Sequence, residues 1–167
     1  SNGIMYAMPF WDEVVRDVAA EYPDVAVETM HLDALLARLV RDPARFDVIV
    51  GSNLFGDLLT DLSAALMGSI GIAPSANIDP TGANPSLFEP VHGSAPDIAG
   101  RGLANPYAMI MSGQMLMGWL GRKHGEPKAV EAAAHMQAAV DKVINEGKTL
   151  TKDLGGSANT QQMGDAI

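Results

Sequence analysis

Between Pro9 and Met67 the spacing of apolar residues switches repeatedly between the helical and the strand period, which restricts the chain to few architectures. PFWDEVVRDVAAEYP (9–23) sets Pro9 and acids near a helix start, with Trp11, Val14, Val15 and Val18 at helical spacing. VAVETMH (25–31) alternates and is β-branched, which predicts a strand. LDALLARLVRDP (32–43) returns to the helical period and closes before Pro43. RFDVIVGSN (45–53) has the pattern of a short buried strand, and Ser52 and Asn53 offer caps for a helix from about Leu54 to Met67. Helix–strand–helix–strand–helix is the grammar of an α/β layer.

At Gly68 the texture changes, a candidate boundary. GSIGIAPSANIDPTGANPSLFEPVHGSAPDIAGRGLANP holds many Gly, Pro, Ser and Asn residues and predicts at most short strands. An irregular stretch of roughly 40 residues inside a compact protein is usually functional or disordered. Its apolar punctuation (Ile70, Ile72, Leu87, Phe88, Val91, Ile98) argues for order. Helices are predicted over 106–125 and 127–147, and a last one after Ser157-Ala158-Asn159. The Met-rich faces of the two long helices are more often core than ligand pocket.

Composition narrows function. With 167 residues, 47% of them hydrophobic, the chain is long enough for one ordinary domain with a substantial core. The absence of cysteine excludes disulfides and thiolate metal sites and fits a reducing compartment, so a cytoplasmic location is expected. Twenty acids against 11 Lys and Arg give a net charge of −9 with no basic cluster, which argues against nucleic acid or anionic membrane as a partner. No apolar run is long enough to cross a bilayer, and the opening SNGIMYAMPF lacks a leader. The first residue is not methionine, so the chain is expected to be a piece of something longer.

Three places carry chemistry. In GSNLFGDLLTDL (51–62), Asp57 and Asp61 lie four residues apart, so their carboxylates share one helix face at a cost of roughly 0.2–0.5 kcal/mol. Leu54, Leu58, Leu62 and Ala65 form the expected buried stripe, with the aspartates on another face. Either Asp57 answers the helix N-terminus and Asp61 faces water, or the pair serves a hard cation that wants oxygen ligands. Asp33 opens the helix after the first strand. It is either an N-terminal helix charge or a ligand at the strand ends where α/β layers bind. In LFEPVHGSAPDIAG (87–100), Gly93 and Ser94 can bring backbone N–H groups to phosphate oxygens at the start of a short helix, His92 can stack on or donate to a base, and Asp97 can accept from ribose hydroxyls. The same segment also fits a well-ordered turn capped by Asp97. No GxGxxG opens a helix after a strand, so an ordinary Rossmann site has no support. Residues 51–100 contain no Lys and no Arg, so the cationic half of any site for an anionic substrate must come from elsewhere.

The runs FDVIVGSNLFGDLLTDL, GSIGIAPSANI and FEPVHGSAPDIAGRGLANP resemble the metal-dependent β-decarboxylating dehydrogenases, which act on isopropylmalate, isocitrate, tartrate and D-malate, and the match extends along essentially the whole chain. SNGI and SNLFGDLLTDL look most like the tartrate and D-malate branch, with isopropylmalate a close second. The resemblance implies an isopropylmalate-dehydrogenase-like α/β fold, of which this chain is the C-terminal half. Residues 1–67 would belong to the smaller, dimer-forming, metal-binding domain and 68–167 to the larger NAD-binding domain. It implies Mg2+ or Mn2+ on Asp57 and Asp61, with Asp33 reaching in from the partner subunit of a homodimer to complete the site and touch substrate. It assigns the adenosine half of NAD to His92, Gly93, Ser94, Ala95 and Asp97, adenine to Asn105, and the nicotinamide end to Glu89. The implied reaction is oxidation of a 2-hydroxy dicarboxylic acid by NAD+, followed in many members by loss of the 3-carboxylate.

The family's arginine cluster, catalytic tyrosine and catalytic lysine lie upstream of the matching region, the lysine immediately before Ser1. The isolated chain is therefore expected to be inactive. The missing groups also leave room for a non-catalytic module that keeps nucleotide or metal contacts.

Overall fold

The computed structural model describes residues 4–167; Ser1, Asn2 and Gly3, part of the SNGI wording, lie outside the described residues. The chain forms two compact units, Ser1–Leu59 and Thr60–Ile167.

In the first unit, α1 (Ala7–Ala20) and α2 (Leu32–Arg41) form where the spacing places them. Helix α2 begins after His31 in extended conformation and stops at Asp42, ahead of a 3₁₀ turn over Pro43–Arg45. Neither helix buries a broad face: α1 has no buried residue and α2 has only Leu39. The expected strands over 25–31 and 45–53 do not form, for those residues have no ladder pairing before α3 (Asn53–Met67) begins. A β-strand exists only through a neighbour that answers its N–H and C=O groups, and neither segment meets one. The expected stripe on α3 also differs. Leu54 and Leu58 are exposed, while the buried positions are Leu59 and Ala64.

The second unit is better packed. Strands β1 (Pro74–Asn77) and β2 (Leu87–Pro90) pair antiparallel, Pro74 opposite Pro90 and Asn77 opposite Leu87. The Asp79 carboxylate ties the connecting loop by accepting from Thr81 N and Oγ1 (2.9 and 2.6 Å) and from Asn84 N and Nδ2 (2.7 and 3.1 Å). Those bonds, the Thr81 hydroxyl foremost, hold its pKa down at about 2. The hairpin lies on α4 (Tyr107–His124), which also packs on α5 (Pro127–Glu146).

Helices α4 and α5 run antiparallel and close together. A Cβ on Gly121 would come within 2.6 Å of Val130 Cγ2, one on Gly118 within 3.7 Å of Ala133 Cβ, and one on Gly113 within 3.6 Å of Met136 Cε. Small residues on α4 thus let the backbone of α5 approach, and Gly125 (φ +67°) makes the turn between them. Ala133, Val140 and Val143 of α5 are buried, with Ala108, Met111 and Ser112 of α4. Beyond α5, a bridge joins Thr151 to Ala158, and α6 (Thr160–Ala166) begins at the predicted Asn159. Asn159 accepts from Gln162 N and donates its own N–H to Gln162 Oε1, a reciprocal capping box. Met163 of α6 is fully buried, a gain of roughly 1.5–3 kcal/mol for such a side chain. Among the described residues no helix is long and apolar enough to cross a membrane.

Gly121→Val should lower stability by about 1–3 kcal/mol through overpacking against Val130, read as a drop in thermal midpoint with helical content retained below it.

Candidate cofactor and metal site

Helix α3 starts as its sequence directs, with Phe55 and Gly56 N–H groups donating to the Ser52 carbonyl at 3.0 and 2.7 Å. Asp57 and Asp61 follow on consecutive turns, both exposed. Asp33 sits in the first turn of α2, exposed, and its Oδ1 accepts from Ala34 N at 2.8 Å. Two exposed carboxylates one helical turn apart are a donor set suited to a hard cation that takes its other ligands from substrate, water or a partner. Among the described residues no three His, Cys, Asp or Glu side chains gather around one point, so the three aspartates do not form a complete site within one chain.

The candidate cofactor loop leaves the hairpin at β2. Glu89 is exposed on that strand opposite Ser75, and one further bond, Val91 N to the Ala73 carbonyl at 3.0 Å, extends the pairing. His92 is half-buried, its Nδ1 3.0 Å from the Gly93 carbonyl. Gly93, Ser94, Ala95 and Asp97 are exposed, and a Cβ on Gly93 would meet nothing within 4 Å. The short helix expected at Gly93 does not form. The chain turns instead: Ile98 N donates to the Ala95 carbonyl and Arg101 N to the Ile98 carbonyl, both at 3.1 Å. Ala95 adopts φ +42°, and Pro96 follows it. A non-glycine residue with positive φ is costly, and a proline after it narrows its options further. Arg101, the first cation after the 51–100 stretch, donates from Nη1 to the Asp97 carbonyl at 3.5 Å.

Asn105 differs from the rest of the loop, for it is buried. Its Oδ1 accepts from Tyr107 N at 3.0 Å, while its Nδ2 donates to Asp153 Oδ2 at 3.0 Å. The same Asp153 oxygen accepts from Ser69 Oγ at 2.5 Å, and Ser69 Oγ in turn accepts from Gly71 N at 2.9 Å. Gly71 is required here, since a Cβ would come within 2.9 Å of Asn105 Cβ. Partial burial works against the Asp153 charge. Hydrogen bonds from Ser69, Thr151, Asn105 and its own backbone outweigh that, and the carboxyl is held below its usual range.

The structure therefore brings Asn105 together with Ser69 and Asp153, two residues the sequence reading missed. A signal was present: Asp153 stands between Thr151, which is buried, and the pair Gly155-Gly156. Gly155 takes φ +80°, and a Cβ on Gly156 would collide with the Leu150 carbonyl. A turn so constrained fixes where its acid points.

Asp153→Ala should lower the unfolding midpoint at pH 7 and change its acid dependence. A depressed native pKa adds stability that is present above the unfolded value of about 3.9 and is lost as pH falls through the native one. Urea unfolding as a function of pH should thus show a shallower decline below about pH 4 in the variant than in the parent.

A family model described as isocitrate/isopropylmalate dehydrogenase matches residues 1–167. A probable tartrate dehydrogenase/decarboxylase from Bacillus subtilis (strain 168) is 51% identical over 167 residues, covering 100% of this chain and 45% of its own. A 3-isopropylmalate dehydrogenase from Corynebacterium kroppenstedtii is 51% identical over 155 residues, covering 93% and 44%. Among solved structures, isocitrate dehydrogenase from Methylococcus capsulatus matches at 44% identity and a TM-score of 0.79, covering 92% of this chain and 43% of that one. The chain thus spans less than half the length of the relatives it matches.

Proposed function

The chain belongs to the isocitrate/isopropylmalate dehydrogenase family and shares its α/β fold, and on that premise we propose that it is the C-terminal part of an NAD-dependent dehydrogenase that oxidises a 2-hydroxy dicarboxylic acid, tartrate or D-malate. The observation that carries this reading is the anchored loop. An exposed, approachable turn over Gly93–Asp97 is joined to a buried Asn105 whose side chain is fixed by Asp153. It occurs in a chain half of whose residues match a protein named for tartrate oxidation.

In this reading residues 1–67 belong to the smaller, dimer-forming domain and 68–167 to the larger, cofactor-binding one. His92, Gly93, Ser94, Ala95 and Asp97 hold the adenosine half of NAD, Asn105 faces adenine and Glu89 lies toward the nicotinamide. Bound NAD+ supplies a hydride acceptor for C2 of the substrate. Asp57 and Asp61 of one subunit, with Asp33 of the other, would hold Mg2+ or Mn2+, a Lewis acid toward substrate oxygens. The carboxylates of this chain orient that end of the site, and the guanidinium groups that grip substrate come from outside the Lys- and Arg-free segment 51–100. Oxidation would remove a hydride from C2 and a proton from its hydroxyl, and loss of the 3-carboxylate as CO2 would leave its electron pair in an enolate that takes up a proton at C3.

The 3-isopropylmalate dehydrogenase match supports a second substrate reading, with an apolar group at C3. Steady-state assays of the full-length protein with NAD+, Mn2+ and tartrate, D-malate or 3-isopropylmalate separate the two; turnover of none of them would reject both and favour a non-catalytic module.

The 167-residue chain alone should produce no NADH with any of these substrates, and steady production by the pure chain would overturn the division of the site between its parts. In the full-length protein Asp57→Asn should raise the Mn2+ concentration needed for half-maximal rate by at least about 10-fold. An unchanged Mn2+ dependence would remove that aspartate from the metal site.

A further inference from the structure

The far end of the candidate cofactor turn is held from a distant part of the chain. Thr160, the first residue of α6, donates its N–H to the Gly102 carbonyl at 2.9 Å. Its hydroxyl donates to the Ala104 carbonyl at 2.5 Å. One residue thus grips two carbonyls on either side of Leu103, the hydroxyl bond spanning 56 positions of sequence. Ala104 immediately precedes Asn105, whose side chain is tied to Asp153.

The grip follows from where Thr160 stands. The first N–H groups of a helix have no partner inside it. In α6 the capping box assigns the Gln162 N–H to Asn159 Oδ1, and the Thr160 N–H goes to Gly102. The support behind Thr160 is firm: Met163, one turn on, is fully buried, and Ala158 N donates to the Leu150 carbonyl at 2.9 Å. The turn in front of it is open. Residues 93–97 are exposed, and Ile98 N and Arg101 N bond to carbonyls of the turn itself. Gly102 takes φ +63°, a conformation glycine enters at little cost and leaves as readily. The bond to its carbonyl fixes that pivot.

We propose that Thr160 is a positioning residue for the adenosine half of the cofactor. Through Gly102 and Ala104 it fixes the backbone between the exposed Gly93–Asp97 turn and Asn105. The proposal rests on the reading of that turn as a nucleotide site. A turn ordered before its ligand arrives loses less freedom on binding, so affinity rises with no contact between Thr160 and the ligand.

The test titrates ADP-ribose, which carries the adenosine half and no nicotinamide, into the full-length protein by calorimetry. Thr160→Val removes the hydroxyl and keeps the N–H and the shape. It should raise the dissociation constant by at least about 5-fold with the stoichiometry of binding unchanged. Thr160→Ser keeps the hydroxyl and should stay within about twofold of the parent. A merely structural role would instead lower the fraction of competent protein, and with it the stoichiometry, at constant affinity. Linkage supplies a readout that needs no variant. In the parent, ADP-ribose should slow exchange of the Thr160 amide by at least about 10-fold while amides of α5 change little. A Thr160→Val protein that binds as the parent does, a Thr160→Ser protein as weak as Thr160→Val, or a Thr160 amide indifferent to ADP-ribose overturns the proposal and leaves the dehydrogenase reading standing. A parent protein that does not bind ADP-ribose overturns both.

Discussion

A single carboxylate joins three distant stretches of the second unit. Asp153 receives hydrogen bonds from Ser69, at the end of the turn after α3, and from Asn105, at the threshold of α4. Thr151, fully buried, adds a third from the chain's own neighbourhood. Ser69 and Asn105 would each lose their acceptor without the acid, and an unanswered buried polar group costs more than a typical hydrogen bond returns. The glycines around the cluster follow from it, because Gly71 leaves room beside Asn105 and Gly155-Gly156 turn the chain so that Asp153 reaches inward. The exposed 93–102 turn hangs from this point at one end and from the short hairpin at the other.

Apart from the short helix expected at Gly93, which does not form, the helices were legible in the sequence to within three residues at each end, because helical hydrogen bonds are local and the apolar period and caps are written in consecutive residues. Asn159 and the glycines after α4 and α5 are cases in point. Strands were not legible in the same way. The sequences of 25–31 and 45–53 state a preference, and pairing depends on a neighbour that the sequence of the segment does not contain. The buried side of α3 failed for a related reason: Leu54 and Leu58 have the right spacing to face a core, but burial needs something to face. From His92 to Asp97 the glycine and proline content marked irregular backbone, and the structure has turns there in place of the short helix expected at Gly93. The link from Asn105 to Asp153 spans 48 positions and follows no period, so only the fold shows it.

Charge in this chain is unevenly shared. The fifty residues from Gly51 to Gly100 hold acids and no Lys or Arg, and Asp57, Asp61 and Asp97 are all exposed within them. Asp79 resolves its charge internally through four hydrogen bonds in its own loop. Asp57, Asp61, Glu89 and Asp97 stand at the surface, where a concentration of like charge favours the approach of a cation or a donor-rich ligand. A polypeptide with this distribution is electrostatically incomplete in one direction, toward positive groups, and a family fold of more than twice this length has room to supply them.

The two tryptophans fall one to each compact unit. Trp11 borders a cleft between the unpaired segments, and Trp119 lies 5.9 Å beneath the Lys123 ammonium on α4. The molecule therefore carries two separately placed fluorophores. One indole reports on the polarity of an open trough, the other on a helix already settled against its neighbours. Ordering in the first unit and melting of the second are distinguishable by light alone, with one tryptophan replaced by phenylalanine at a time.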